Sequence, residues 1–162
     1  MKKIQRIIVA IDYEQESEKV ALAALQLVEQ LHSEVAFVSV VEQSVIMINN
    51  DIMGMGGMGI NENITTEMQI ENSWKTNFES KHKNLKDNLF YKHLVTSFIV
   101  EGIPEDEILS KAKSWNADLI VMGTHGRTGI DHLLIGSVSE KVIRHSTIPV
   151  FVIPTKQPLS KS

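Results

Sequence analysis

Apolar and polar positions alternate along the chain in two different rhythms. Ile7-Ile8-Val9-Ala10-Ile11 is a continuous apolar run rich in β-branched residues. Such a run suits a strand buried on both faces, as in a parallel sheet. Asp12 ends it. Val20, Ala24, Leu27, Val28 and Leu31 then recur at helical spacing, with Ser17 expected as the helix N-cap. Val35 to Val41 is a second apolar run, so the first segment of the chain reads as a βαβ unit with a right-handed crossover.

The rhythm breaks over residues 43–63. Gly54, Gly56, Gly57 and Gly59 are interleaved there with Met53, Met55 and Met58, without helical or strand periodicity. This predicts a flexible loop of about 20 residues, longer than most connections within a domain. It stands either as a plain insertion or as a lid or partner-binding loop, to which methionines would lend an adaptable surface.

A helix is expected to resume near Thr65, with Ile70, Trp74, Phe78 and Leu85 close to one face. Leu94 to Val100 reads as the third strand. Gly102-Ile103-Pro104 turns the chain into a helix whose first turn carries Glu105, Asp106 and Glu107, a favourable placement for anions. Ile108, Leu109, Ala112 and Trp115 form its buried side. Asp118 to Met122 is the fourth strand, ending at Gly123. Val138, Val142 and Ile143 mark a last helix, and Pro149 to Ile153 a fifth strand. Five apolar strands alternating with four helices predict a doubly wound α/β sheet. Residues 1–154 read as one domain, and Thr155 to Ser162 as a disordered tail.

Composition narrows the functions available to such a sheet. Across 162 residues, 16 Lys and Arg face 20 Asp and Glu, for a net charge of −4. That balance argues against duplex DNA or an anionic membrane as the main partner. The chain has no cysteine, which removes disulfides, thiolate metal sites and Cys nucleophiles. No apolar run approaches the roughly 18 residues of a membrane span, and the basic start lacks the long core of a signal peptide. A soluble, cytoplasmic protein is expected.

Ligands of open α/β sheets bind beyond the carboxyl ends of the strands, at the switch point of the strand order. The segment after the fourth strand is the richest there. Gly123, Gly126 and Gly129 permit close backbone approach, and Gly136-Ser137 opens a helix whose amides favour an anion. Ser137 and Ser139 add hydroxyls, and Arg127 adds a charge. These features describe a phosphate cradle, although glycine turns and serine caps are also common structural devices. The segment is neither a Walker A loop nor a dinucleotide fingerprint.

Gly123-x2-Gly126-x9-Gly136-Ser137 resembles the nucleotide motif of universal stress proteins, G-x2-G-x9-G-[S/T]. Arg6 to Asp12, Gly102-x-Pro104, Ala117 to Gly123, Gly136 to Val142 and Ile148-Pro149-Val150 are similar to the family as well. The resemblance implies a Rossmann-like, five-stranded parallel sheet of order 3-2-1-4-5 with helices on both faces. It implies the ATP-binding branch, because every motif position is kept. By family position, Ala10, Ile11, Asp12, Val40, Met122 and Gly123 would line adenine and ribose. Gly126, Arg127, Gly136, Ser137, Val138 and Ser139 would surround the phosphates. His125, between two motif glycines, would touch ribose or phosphate, or stand as a solvated loop histidine.

The chain departs from the family at Ala10, often a proline there, and in the acidic stretch Glu14 to Glu16 after Asp12. That stretch would either weaken phosphate attraction or help hold a divalent ion, with Asp12 as the candidate ligand. The implied ligand is ATP, ADP or AMP, with or without Mg²⁺, and a cyclic nucleotide stays open. The implied role is a nucleotide-dependent stress-response module. Its alternatives are a slow ATPase or self-phosphorylating enzyme, and a dimeric interaction protein that binds no nucleotide. No residue is placed to activate water, and no arginine finger is evident. An apolar fifth strand at the sheet edge favours a homodimer through residues 149–153.

Overall fold

In the computed structural model, described over residues 3–12, 15–42, 60–124 and 136–155, with backbone alone over 60–71, the strands form one parallel sheet. β1 (Arg6–Ala10), β2 (Glu34–Glu42), β3 (Val95–Gly102), β4 (Leu119–Gly123) and β5 (Val150–Ile153) lie in the order β3-β2-β1-β4-β5. Among the described residues four helices connect them: α1 (Ser17–Leu31), α2 (Ile60–Asn88), α3 (Pro104–Ser114) and α4 (Ser137–His145). The doubly wound sheet and its order are those expected from the sequence.

The unbroken apolar strands are explained by two cores, one on each face. Ile7, Val9 and Ile11 alternate with Ile8 along β1 and its end. The first three pack with Val20, Ala24 and Val28 of α1 and Leu85 of α2. Ile8 packs on the other face with Ile108 and Ala112 of α3 and Val142 of α4. Since neighbouring strand residues point to opposite faces, a sheet covered on both sides leaves no place for a polar alternation.

Some boundaries differ from expectation. α2 begins at Ile60, inside the segment read as a loop, and runs for 29 residues. Its first residues, Asn61, Glu62 and Asn63, are polar, so their helical state leaves no apolar period to read. Ser17 is the first residue of α1 rather than its N-cap. Glu16 holds the cap position, and the Ser17 hydroxyl is turned back onto Asp12. β3 starts at Val95, and Leu94 is 95% exposed, because the strand-like pattern continues one residue before the β2 pairing begins at Val35↔Val95. Thr155, read as the first residue of a tail, is buried and hydrogen-bonded. The remainder of the Met/Gly segment, 43–59, and the tail residues 156–162 lie outside the described residues.

Candidate functional site

β1 and β4 are adjacent, paired through Val9↔Val121, yet β1 leads towards β2 on one side and β4 towards β5 on the other. Their carboxyl ends therefore open a cleft between two diverging connections. Ala10, Ile11 and Asp12 leave β1 at this point, and Met122, Gly123 and Thr124 leave β4. The ladder is extended beyond the strand ends on both sides. The Ile11 N–H donates to Val38 O at 2.9 Å, and the Thr124 N–H to Ile153 O at 2.9 Å.

Thr124 fastens the last helix to this cleft. Its carbonyl accepts from the Gly136 N–H at 2.6 Å and from the Ser139 hydroxyl at 2.9 Å. Ser139 Oγ also lies 2.9 Å from Gly136 O. The start of α4 is thus stitched to the end of β4 across the 125–135 interval of sequence. The first-turn amides of a helix lack intrahelical acceptors and carry the positive end of its dipole, so this placement creates an anion-favouring position beside the strand ends. Gly136 takes an extended conformation, φ −74° and ψ 160°, without a side-chain cap.

The structure divides the sequence-derived candidates by face. Ala10, Val40 and Val138 are partly buried against the same core as Met122, so these four apolar residues share the α3/α4 side of the sheet. Ile11 points into the opposite core and is 3% exposed, leaving only its backbone for the cleft. Ser139 is 2% exposed, with its hydroxyl engaged by Thr124 and Gly136 rather than open to the cleft. It therefore holds the helix start in place. Ser137 is exposed at the head of α4. Asp12 is held by Ser17, whose Oγ lies 2.9 Å from Asp12 O, hydrogen-bonds its carboxylate and accepts the Asp12 N–H at 3.2 Å. Among the described residues no group of three His, Asp or Glu is placed to hold a metal ion. His125, Gly126, Arg127 and Gly129 lie outside the described residues.

Several residues that shape this end of the sheet were missed by sequence reasoning. Thr155 donates its N–H to Thr124 Oγ1 at 3.2 Å, and Lys19 Nζ reaches Thr155 O at 3.1 Å. Together they join α1, β5 and the end of β4. Lys141 Nζ lies 2.5 Å from Glu105 Oε1 and ties α4 to α3. Burial alone would raise the Glu105 carboxyl, but the Lys141 hydrogen bond, its own backbone amide and the Lys141 charge outweigh this and lower it. The same bond raises Lys141. His82, on the inner face of α2, is 1% exposed, and its pKa is lowered to about 4 by burial and then by Lys86. Its spacing from Phe78 and Leu85 was a usable signal, since positions four and three apart share one helix face.

A family model described as the universal stress protein family matches residues 3–154. The chain belongs to that family. Among its curated relatives, universal stress protein MJ0577 of Methanocaldococcus jannaschii is 31% identical over 159 residues, covering 94% of this chain and 96% of that protein. Universal stress protein YxiE of Bacillus subtilis is 30% identical over 149 residues, 91% of this chain and 97% of YxiE. The solved structure of MJ0577 superposes with a TM-score of 0.75 at 26% identity, covering 97% of this chain and 100% of that one. UspA from Lactobacillus plantarum shares the fold, with a TM-score of 0.78 at 17% identity over 94% and 99% of the two chains. A universal stress protein solved in complex with cAMP also shares it, with a TM-score of 0.62 at 19% identity over 96% and 100%. Like these relatives, this universal stress protein is a small α/β domain, and no helix among its described residues is long and apolar enough to cross a membrane.

Proposed function

We propose that this universal stress protein is an adenine-nucleotide-binding regulatory module of the ATP-binding branch. The observation that carries this reading is the stitching of the α4 N-terminus to the end of β4, through Gly136, Ser139 and Thr124, at the same end of the sheet where the neighbouring β1 runs out into Asp12. In this reading Ala10, Val40, Met122 and Val138 supply an apolar wall for the base, and Asp12 and the Gly123 backbone take the ribose. The amides of Ser137 and Val138 meet the phosphates beside Gly136, whose own N–H is held by Thr124 O, and they are joined by His125, Gly126 and Arg127 from the adjoining glycine segment. An apolar wall with a few directed polar groups is the usual make-up of a small-molecule site.

The donor set fits a nucleotide better than a protein-held metal. Asp12 is one carboxylate without a ligating trio among the described residues, so any Mg²⁺ would come in with the phosphates. The protein's part is binding and orientation. A regulatory effect then requires different nucleotide affinities in two conformations or assembly states. The reading includes a cytoplasmic setting and a homodimer through the β5 edge, where Phe151 is 45% exposed.

Calorimetric titration of purified, nucleotide-stripped protein tests this reading. ATP with Mg²⁺, ATP alone, ADP, AMP and cAMP are compared, and each is repeated with Gly123→Val and Gly136→Val. Saturable binding of an adenylate that both substitutions abolish is expected. The absence of saturable binding at millimolar nucleotide would overturn the reading.

A further inference from the structure

A single chain of hydrogen bonds crosses the α1/α2 side of the sheet from the exposed edge to the end of β1. Ser97 on β3 bonds His82 Nδ1. His82 Nε2 lies 2.8 Å from Ser39 Oγ on β2, and Ser39 Oγ lies 2.5 Å from the Ile11 carbonyl. Ser39 and His82 are each 1% exposed. Phe37 meets the imidazole edge-on, with ring centroids 5.4 Å apart at 64°, and so fixes its plane.

The direction of every bond follows from counting protons. The Ile11 carbonyl only accepts, so the Ser39 proton points to it. Ser39 oxygen must then accept from His82, which places the ring proton on Nε2. Nδ1 is left bare and accepts from the Ser97 hydroxyl. A neutral imidazole has one such proton to give, and the buried ring is held neutral by its surroundings. Ser97, His82 and Ser39 thus form a directed relay that ends on the peptide joining Ile11 to Asp12.

We propose that His82 is a positioning residue for the nucleotide site, fixing the Ile11–Asp12 peptide from α2 through Ser39. The inference rests on the nucleotide reading of that site. Regular β1 pairing stops at Ala10↔Val38, and the next peptide is the one that presents Asp12. The Ile11 N–H is anchored to Val38 O, and the Ser39 hydroxyl anchors its carbonyl. With both groups held, Asp12 leaves the sheet in one direction. Without the His82 N–H, the Ser39 oxygen loses the bond that pins its side chain beside Ile11, so the rotamer that holds the Ile11 carbonyl is no longer fixed and that definition is lost. A cluster that merely satisfied its own polar atoms would not transmit a change at Ser97 to Asp12.

The test combines ATP affinity, thermal midpoint and NMR on the full chain. His82→Phe removes the donor while keeping a ring against Phe37. His82→Gln keeps an N–H donor. Ser97→Ala acts from an exposed edge-strand position and answers the question if His82→Phe does not fold. The expected results are an Nε2–H tautomer in the wild type and shifts of the Ile11 carbonyl and Asp12 amide signals in His82→Phe. ATP affinity should fall about five- to tenfold in His82→Phe, the equivalent of one net hydrogen bond. His82→Gln should recover most of that loss, and Ser97→Ala should weaken ATP about twofold or more with little change in midpoint. Unchanged ATP affinity in folded His82→Phe, or an Nδ1–H tautomer, overturns the positioning role. If wild type binds no ATP, the nucleotide reading falls and takes the ligand half of this proposal with it. Unmoved Ile11 and Asp12 signals in a chain that does bind ATP overturn the positioning alone.

Discussion

The Ser139 hydroxyl donates to the Thr124 carbonyl at 2.9 Å, joining the first turn of α4 to the end of β4. This contact spans the glycine motif and sets the position of the helix amides relative to the strand ends. Ser139→Ala removes that bond and the one to Gly136 O, while Thr124 O keeps the Gly136 N–H. We expect a stability loss of about 1–2 kcal/mol, slightly offset by the better helix propensity of alanine. Nucleotide affinity should fall by more than stability alone requires. Thermal melts beside titrations of the same variant check this, and a variant with unchanged affinity would mean that the stitch does not position the helix for binding.

The Glu105–Lys141 bond should be asymmetric. Glu105 has 12% of its side chain accessible and Lys141 has 54%. Lys141→Met leaves a largely buried carboxylate without its partner, whereas Glu105→Gln leaves an ammonium that can turn to water. The lysine variant should therefore melt lower than the glutamine variant, and the double variant should recover part of the loss. The Glu105 carboxyl is lowered in the folded state, so its contribution is present above the unfolded pKa. It is lost as pH falls through the folded value. A double-mutant cycle of melting midpoints at neutral and acid pH measures both effects.

His82 gives stability a steeper fall on acidification. Its folded pKa, about 4, lies below the ordinary 6.5, so the unfolded chain takes up this proton first as pH drops. Stability from this group is complete above about pH 6.5, declines from there to about pH 4, and is then exhausted. The whole effect is about 3 kcal/mol. Denaturant unfolding between pH 7 and 5 should show a weaker pH slope in His82→Phe than in wild type. Equal slopes would remove His82 as the source.

On the edge strand β5, Phe151 is 45% exposed, and Ile143 of α4 is 43% exposed. If β5 pairs with a second copy, Phe151→Lys places a charge in that interface and should halve the solution mass. Light scattering at several concentrations reads the outcome. A wild type that is monomeric throughout would sink the β5 pairing.

Much of the site lay within reach of sequence because its parts are backbone devices. Asp12 at a strand end, and Gly123 and Gly136-Ser137 at fixed spacing, owe their proposed roles to local conformation and chain position. Side chains that act at long range were harder to read. Ser139 was assigned to the phosphates as a hydroxyl near Gly136 and by the family resemblance, but its hydroxyl is drawn to Thr124. Nothing near Lys141 in sequence marks its partner, and α3 brings Glu105 to it. The turn at Gly102 was legible, and the structure adds its cause. At φ +147°, a side chain there would be strained, and its Cβ would lie 2.9 Å from Glu107 Cγ.

The sequence by itself determined the alternation of strands and helices, the parallel sheet and the end of it that carries the candidate site. Those follow from apolar period and from which residues tolerate a turn, both properties of neighbours along the chain. Only the tertiary structure decided that Thr124 is the joint for α4, that Glu105 has a cation, and that His82 reaches Ile11 through Ser39. Each joins elements far apart in sequence. A hydrogen bond depends on distances of a few tenths of an ångström, which the packing of separate elements sets and local pattern does not encode.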